Sequence, residues 1–191
     1  MLFRSKMVEH LIITALESEL KRSALPLGVE IVYTGVGKVN AAIATTKAIH
    51  ELSPKKIINF GTAGKVNPSL KGLLEVGKVL QRDMHTEPLA PRGKTPFCPR
   101  PSEYQSTGSI LCGTGDSFVT SHDPWLHEND IDVVDMELFA IAAVAHQFNI
   151  PWYSYKFITD DANSDSANDW HEKVNHGQEL FLRILGKRFI S

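Results

Sequence analysis

The chain has 191 residues, 42% of them hydrophobic and 22% charged, with a formal net charge of -2. That length and apolar content suffice for one good-sized core and make a single domain over residues 1–191 the expectation. The near-neutral balance lacks the basic footprint of a nucleic-acid or anionic-membrane partner, which leaves small molecules or further copies of the chain.

Cys98 and Cys112 fit neither a metal-ligand spacing nor a disulfide framework, so the expected compartment is a reducing cytoplasm. Residues 1–7 carry Arg4 and Lys6 but lack the apolar run and small-residue cleavage site of a secretion signal. No stretch approaches the roughly 20 apolar residues of a membrane span.

Residues 8–14 are apolar and β-branched enough for a strand that runs into Ala15, Leu16, Glu17, Ser18 and Glu19. Glu17 falls just past the strand end, where open α/β sheets place ligands, whereas Glu19 reads as part of a solvated first helical turn. Residues 29–36 form a second strand ended by Gly35, Val36 and Gly37, and residues 38–52 have helical composition until Ser53-Pro54 stops them. Residues 55–60 form a third strand, terminating in a glycine turn at Gly61, Thr62, Ala63 and Gly64. Neither glycine turn is GxGxxG or a phosphate loop.

Residues 77–81 look like a strand, but the prolines from Pro88 to Pro101 forbid regular structure in the stretch that follows. Arg82, Asp83 and His85 there could contact substrate or a partner subunit, with a solvated loop as the favoured reading. Residues 109–113 return as a strand, giving way to Gly115, Asp116, Ser117 and Phe118. Residues 131–137 read as a short buried strand, followed without a break by the Ala-rich helical run 138–145. Glu137 thus sits at a strand-to-helix junction, where it either caps its helix or faces a cleft. The last strand, 152–159, ends at Thr159, Asp160 and Asp161, and an amphipathic helix follows over 166–185.

Strands alternating with helices argue for an α/β fold. Glu17, Glu137 and Asp160 each fall just past a strand end. If those ends share one side, three carboxylates line one cleft, and crowding drives their pKa values apart, leaving one as an acid and another as a base. No HExxH run or GxSxG elbow points to a zinc or serine alternative.

Six stretches resemble, in order, the motifs of the methylthioadenosine/S-adenosylhomocysteine nucleosidases, members of the nucleoside phosphorylase superfamily. They are Ala15-Leu16-Glu17-Ser18-Glu19, Thr34-Gly35-Val36-Gly37-Lys38-Val39-Asn40-Ala41-Ala42, Asn59-Phe60-Gly61-Thr62-Ala63-Gly64, Gly115-Asp116-Ser117-Phe118, Val134-Asp135-Met136-Glu137 and Ile158-Thr159-Asp160. The resemblance implies a three-layer sandwich with a central mixed, mostly parallel sheet flanked by helices. It also implies metal-independent, cofactor-free cleavage of the N-ribosidic bond of a purine nucleoside, as in methionine salvage, by a homodimer.

On that resemblance Asp160 matches the acid at N7 of the base, and Glu17 the carboxylate that activates water with the help of Thr62. Glu137 matches the group that holds the ribose hydroxyls, with Met136 under the sugar. Phe118 matches the ring stacked on the base, the Val119 backbone the group reading its edge, and Trp170 a further aromatic. Lys156 replaces an arginine directed toward Glu137. The chain departs from the family at Lys65, Leu138 and Phe139, and is shorter between 79 and 109, where the pocket for the 5' substituent is built. Hydrolysis is the expectation over phosphorolysis, because a carboxylate at Glu17 repels phosphate where the phosphorylases supply arginine. Purine nucleoside phosphorylase, or a silent nucleoside-binding protein, is the alternative.

Overall fold

The computed structural model describes residues 7–161 and 176–190. Strand β1 (His10–Thr14) is buried throughout and pairs in parallel with β2 (Glu30–Tyr33) and β3 (Lys56–Lys65). Its side chains alternate between two cores. Leu11 and Ile13 face helices α1 (Lys38–Leu52) and α3 (Leu138–Gln147), while Ile12 faces α4 (Gln178–Leu185). Burying each such side chain contributes about 1.5–3 kcal/mol. Helix, sheet and helix therefore form the three layers expected.

The helices follow from local chemistry. In α1, Ala41, Thr45, Ala48 and Ile49 recur at helical spacing and are the buried face. Ser53 closes it in the left-handed conformation, φ 40°, with its N–H on Ile49 O. Helix α3 buries Leu138, Ala140, Ile141, Ala142 and Ala145, and its alanines let it lie close to α1. On the opposite face Phe60 stacks on Phe181 of α4 with ring centroids 4.5 Å apart.

Strand β4 (Leu73–Gln81) pairs with β5 (Glu103–Gln105) and with β6 (Ile110–Thr114), which follows β5 after residues 106–109; α2 (Pro124–Glu128) then leads to β7 (Val133–Asp135). The described strands form one 8-stranded sheet in the order β2-β1-β3-β7-β6-β4-β5. Strand β8 (Trp152–Asp160) joins β3 in parallel and β4 in antiparallel sense, so β3, β7, β6, β4 and β8 close into a barrel. The sheet is mixed and mostly parallel.

Two elements differ from the sequence reading. The motif at Gly61–Gly64 is not a turn: β3 runs through it to Lys65, because β8 pairs with it as far as Gly64 opposite Asp160. Residues 15–20 are not a helical turn but an irregular loop, held by Glu19 N on Leu16 O at 3.1 Å. Of the expected helix 166–185, the described part is α4. No helix among the described residues is long and apolar enough to cross a membrane.

Candidate active site

Strand ends and their following loops surround a cavity of about 190 Å³, lined by Glu19, Thr62, Phe118, Val119, Met136, Glu137 and Asp160 among others. Apart from Phe118, which is 44% exposed, the chemistry-bearing groups are buried or half-buried. Apolar walls come from Leu16, Val36, Ala63 and Val134. Such a cavity with few convergent polar groups is what a small-molecule site requires.

The carboxylate that β1 contributes is Glu19, not Glu17. Glu17 is exposed and does not line the cavity, whereas Glu19 is 3% exposed. The loop after β1 turns Glu19 back over the strand end, where four donors converge on it. Thr62 N and Thr62 Oγ1 reach Oε1, both at 2.9 Å; Thr14 Oγ1 and Leu16 N reach Oε2, both at 3.1 Å. The expectation of a solvated Glu19 fails because no helix forms there to point it outward. Two carboxylates two residues apart carry no periodic signal that separates them; only the irregular turn does.

Glu137 faces the cleft. The capping task belongs to Asp135, whose Oδ2 accepts from Leu138 N at 2.9 Å. Glu137 makes no cap bond and instead takes the Gly37 N–H on Oε1 at 2.9 Å, drawing the start of α1 to the cavity. Burial, reinforced by the nearby charge of Asp135, pushes its carboxyl up to about 8 against the pull of Lys156 and the Gly37 N–H.

Lys156 does not touch the cavity and is not directed at Glu137 as a partner. It is 1% exposed, and its Nζ pairs with Asp135 Oδ2 at 2.7 Å. The physical reason is that Asp135, also sealed from solvent, is a hub: its Oδ1 also accepts from Thr114 Oγ1 at 2.5 Å and Cys112 Sγ at 3.4 Å. Burial would raise the Asp135 carboxyl, yet the Lys156 ammonium holds it below the usual carboxylate range. Burial would likewise lower the Lys156 ammonium, but Asp135 and Glu137 raise it. An acid inside an apolar strand has to be paired or hydrogen-bonded, and residue order alone does not name the partner of Asp135.

Asp160 ends β8 at 6% exposure, with Thr159 Oγ1 donating to its Oδ2 at 3.0 Å. A Cβ on Gly64 would lie 2.5 Å from Asp160 Oδ1, so glycine there is what admits the acid. Lys65, which replaces a glycine of the family, pairs with Asp161 at 3.0 Å. Phe118 and Val119 enter the cavity on the loop after β6, and Met136 from the β7–α3 junction. Trp170 lies outside the described residues. Arg82, expected in a solvated loop, is 5% exposed and lines the cavity.

The family model described as Phosphorylase superfamily matches residues 27–111 and 105–191. The 5'-methylthioadenosine/S-adenosylhomocysteine nucleosidase of Staphylococcus haemolyticus is 31% identical over 183 residues, covering 82% of this chain and 79% of that protein. The enzyme of the same name from Anoxybacillus flavithermus is 31% identical over 189 residues, covering 83% and 81%. Among solved structures, native futalosine hydrolase of Helicobacter pylori superposes with TM-score 0.83 at 19% identity, covering 94% of this chain and 96% of that one. The S-adenosylhomocysteine nucleosidase of Streptococcus pyogenes gives 0.80 at 22% identity, covering 94% of each. The fold is therefore that of the nucleoside phosphorylases, and the sequence likeness over most of its length makes this chain a member of the methylthioadenosine/S-adenosylhomocysteine nucleosidase family within the phosphorylase superfamily.

Proposed function

We propose that the chain is a purine nucleosidase that hydrolyses the N-ribosidic bond of an adenine nucleoside such as 5'-methylthioadenosine or S-adenosylhomocysteine. The observation that carries this reading is that Glu19, Glu137 and Asp160, from three distant parts of the sequence, line one small cavity with Phe118 at its mouth. Asp160 donates a proton to N7, so the base departs as a neutral purine when the bond to C1' breaks. Glu19, steadied by Thr62, takes a proton from the water whose oxygen bonds to C1'. Glu137 and Met136 hold the sugar, and anchoring its hydroxyls lends remote binding energy to the transition state. Phe118 stacks on the base.

Hydrolysis is favoured over phosphorolysis because Glu19 stands where an attacking dianion would have to sit. Arg82, the guanidinium in the lining, has its Nη donors committed to Gly115 O and to Ser117. Metal independence and a homodimer complete the reading. Val39 and Ile43, 69% and 65% exposed on α1, leave an apolar face for a second copy. The test is a panel of methylthioadenosine, S-adenosylhomocysteine, adenosine and inosine, followed for free base with and without phosphate and with a chelator. Release that needs phosphate favours the phosphorylase; binding without release favours a silent protein; release blocked by the chelator removes metal independence. Light scattering reads the oligomer.

A further inference from the structure

Arg82 and Asp83, adjacent just past β4, grip the loop after β6 from two directions. Arg82 Nη1 donates to Ser117 Oγ at 3.3 Å, and Nη2 donates to Gly115 O at 3.2 Å and to Ser117 O. Asp83 Oδ2 accepts from Asp116 N at 2.8 Å, and its Oδ1 accepts from Lys38 Nζ at 2.5 Å. Lys38 N in turn donates to Asp116 Oδ1 at 2.7 Å. Consecutive residues Gly115, Asp116 and Ser117 are therefore each fixed by a side chain, and the next residue is Phe118. The fit is close: a Cβ on Gly115 would lie 2.9 Å from Arg82 Cζ and 3.0 Å from Asp83 Cγ.

A rigid planar fork holds two carbonyls and a hydroxyl in fixed directions, whereas an ammonium on a flexible stem holds them less firmly. Phe118 itself is 44% exposed, so little packing holds it. Its place depends on the backbone that precedes it. We infer that Arg82 and Asp83 are positioning residues that set the 115–119 loop so that Phe118 and Val119 meet the purine base. The inference rests on the nucleosidase reading and deepens it.

The test is a double-mutant cycle on the full chain. Arg82→Met, Arg82→Lys and Asp83→Asn are each made alone and with Phe118→Ala, and KM, kcat and inhibition by free adenine are measured for the folded enzyme. With Phe118 present, Arg82→Met raises KM and the adenine inhibition constant about tenfold, moves kcat much less, and is partly rescued in Arg82→Lys. With Phe118→Ala the same change has little further effect, since contacting groups in one network are not additive. Equal effects in both backgrounds, or loss of kcat with KM unchanged, overturn the inference. So does a merely lower folded fraction with unaltered KM and adenine inhibition. Should Arg82→Met not fold, Arg82→Lys and Asp83→Asn carry the same cycle. A wild-type chain that releases no base and binds no adenine overturns the nucleosidase reading and this inference with it. An active wild type with additive effects overturns the inference alone.

Discussion

Thr62 gives both its backbone N–H and its hydroxyl to a single oxygen of Glu19, each at 2.9 Å. A carboxylate clasped in this way has one orientation, as its proposed meeting with a water at C1' requires. Glu19→Gln is expected to lower kcat by about 10²–10⁴, the usual contribution of a general base. Glu17→Gln, on the exposed side of the same loop, is expected to leave kcat within about twofold, in line with the small effects of surface substitutions. Steady-state release of free base compares the two, and equal losses would remove the assignment of Glu19.

Gly64 predicts a second effect. Because its missing Cβ is the room Asp160 occupies, Gly64→Ala must push the acid from its place. Asp160→Asn is expected to reduce kcat by about 10²–10⁴ through loss of the proton donor. Gly64→Ala should fall in the same direction although it removes no titratable group. A fully active Gly64→Ala enzyme would show that the position of Asp160 is not critical.

The elevated carboxyl of Glu137 sets a pH dependence. Its folded value of about 8 lies above the unfolded reference of 4.5, so the folded chain holds a proton that the unfolded chain has released between those values. The stability tied to this group is complete below about 4.5 and is lost as pH rises toward about 8. Asp135 acts in the opposite sense: its folded value is lowered, so its contribution is present above the unfolded value of 3.8 and is lost as pH falls. Glu137→Gln, a neutral isostere, should flatten the decline of Tm between pH 5 and 8, measured by differential scanning fluorimetry. An unchanged slope would place the titration elsewhere.

The Lys156–Asp135 pair, sealed at 1% and 0% side-chain exposure, should be costly to halve. Lys156→Met leaves a buried carboxylate without its cation and is expected to cost about 3–5 kcal/mol in urea unfolding. Adding Asp135→Asn should recover part of that loss, even though the bond from Leu138 N is weakened. A sum of independent losses would mean that the two side chains do not act as a pair.

Much of this was legible in residue order. Helix α1 coincides with the expected 38–52, because its apolar period and Ser53-Pro54 stop agree. Glu137 and Asp160 could be found because each lies at or just past a strand end, and they meet because Val134 of β7 and Asp160 of β8 both pair with Gly64 of β3. Glu19 was not, because an irregular loop obeys no period. For Arg82 substrate contact was open but solvent favoured, since proline-rich sequence implies loop; here the guanidinium is drawn inward by carbonyls contributed from 33 and 35 residues away. The partner of Lys156 differs from the expected Glu137 because the chain leaves β7 at Asp135, which meets the Lys156 Nζ, while Glu137 lies beyond the strand and takes the Gly37 N–H.

The successive amides of Gly37 and Lys38 each grasp a carboxylate, the first that of Glu137 and the second that of Asp116. On the proposed reading the first belongs to the sugar's side of the cavity, and the second lies in the loop that carries Phe118. The first turn of α1 is thus a shared pivot, and a tilt of that helix displaces both halves of a bound nucleoside's surroundings at once. Residues far along α1, in contact with no ligand, acquire leverage over recognition by this route.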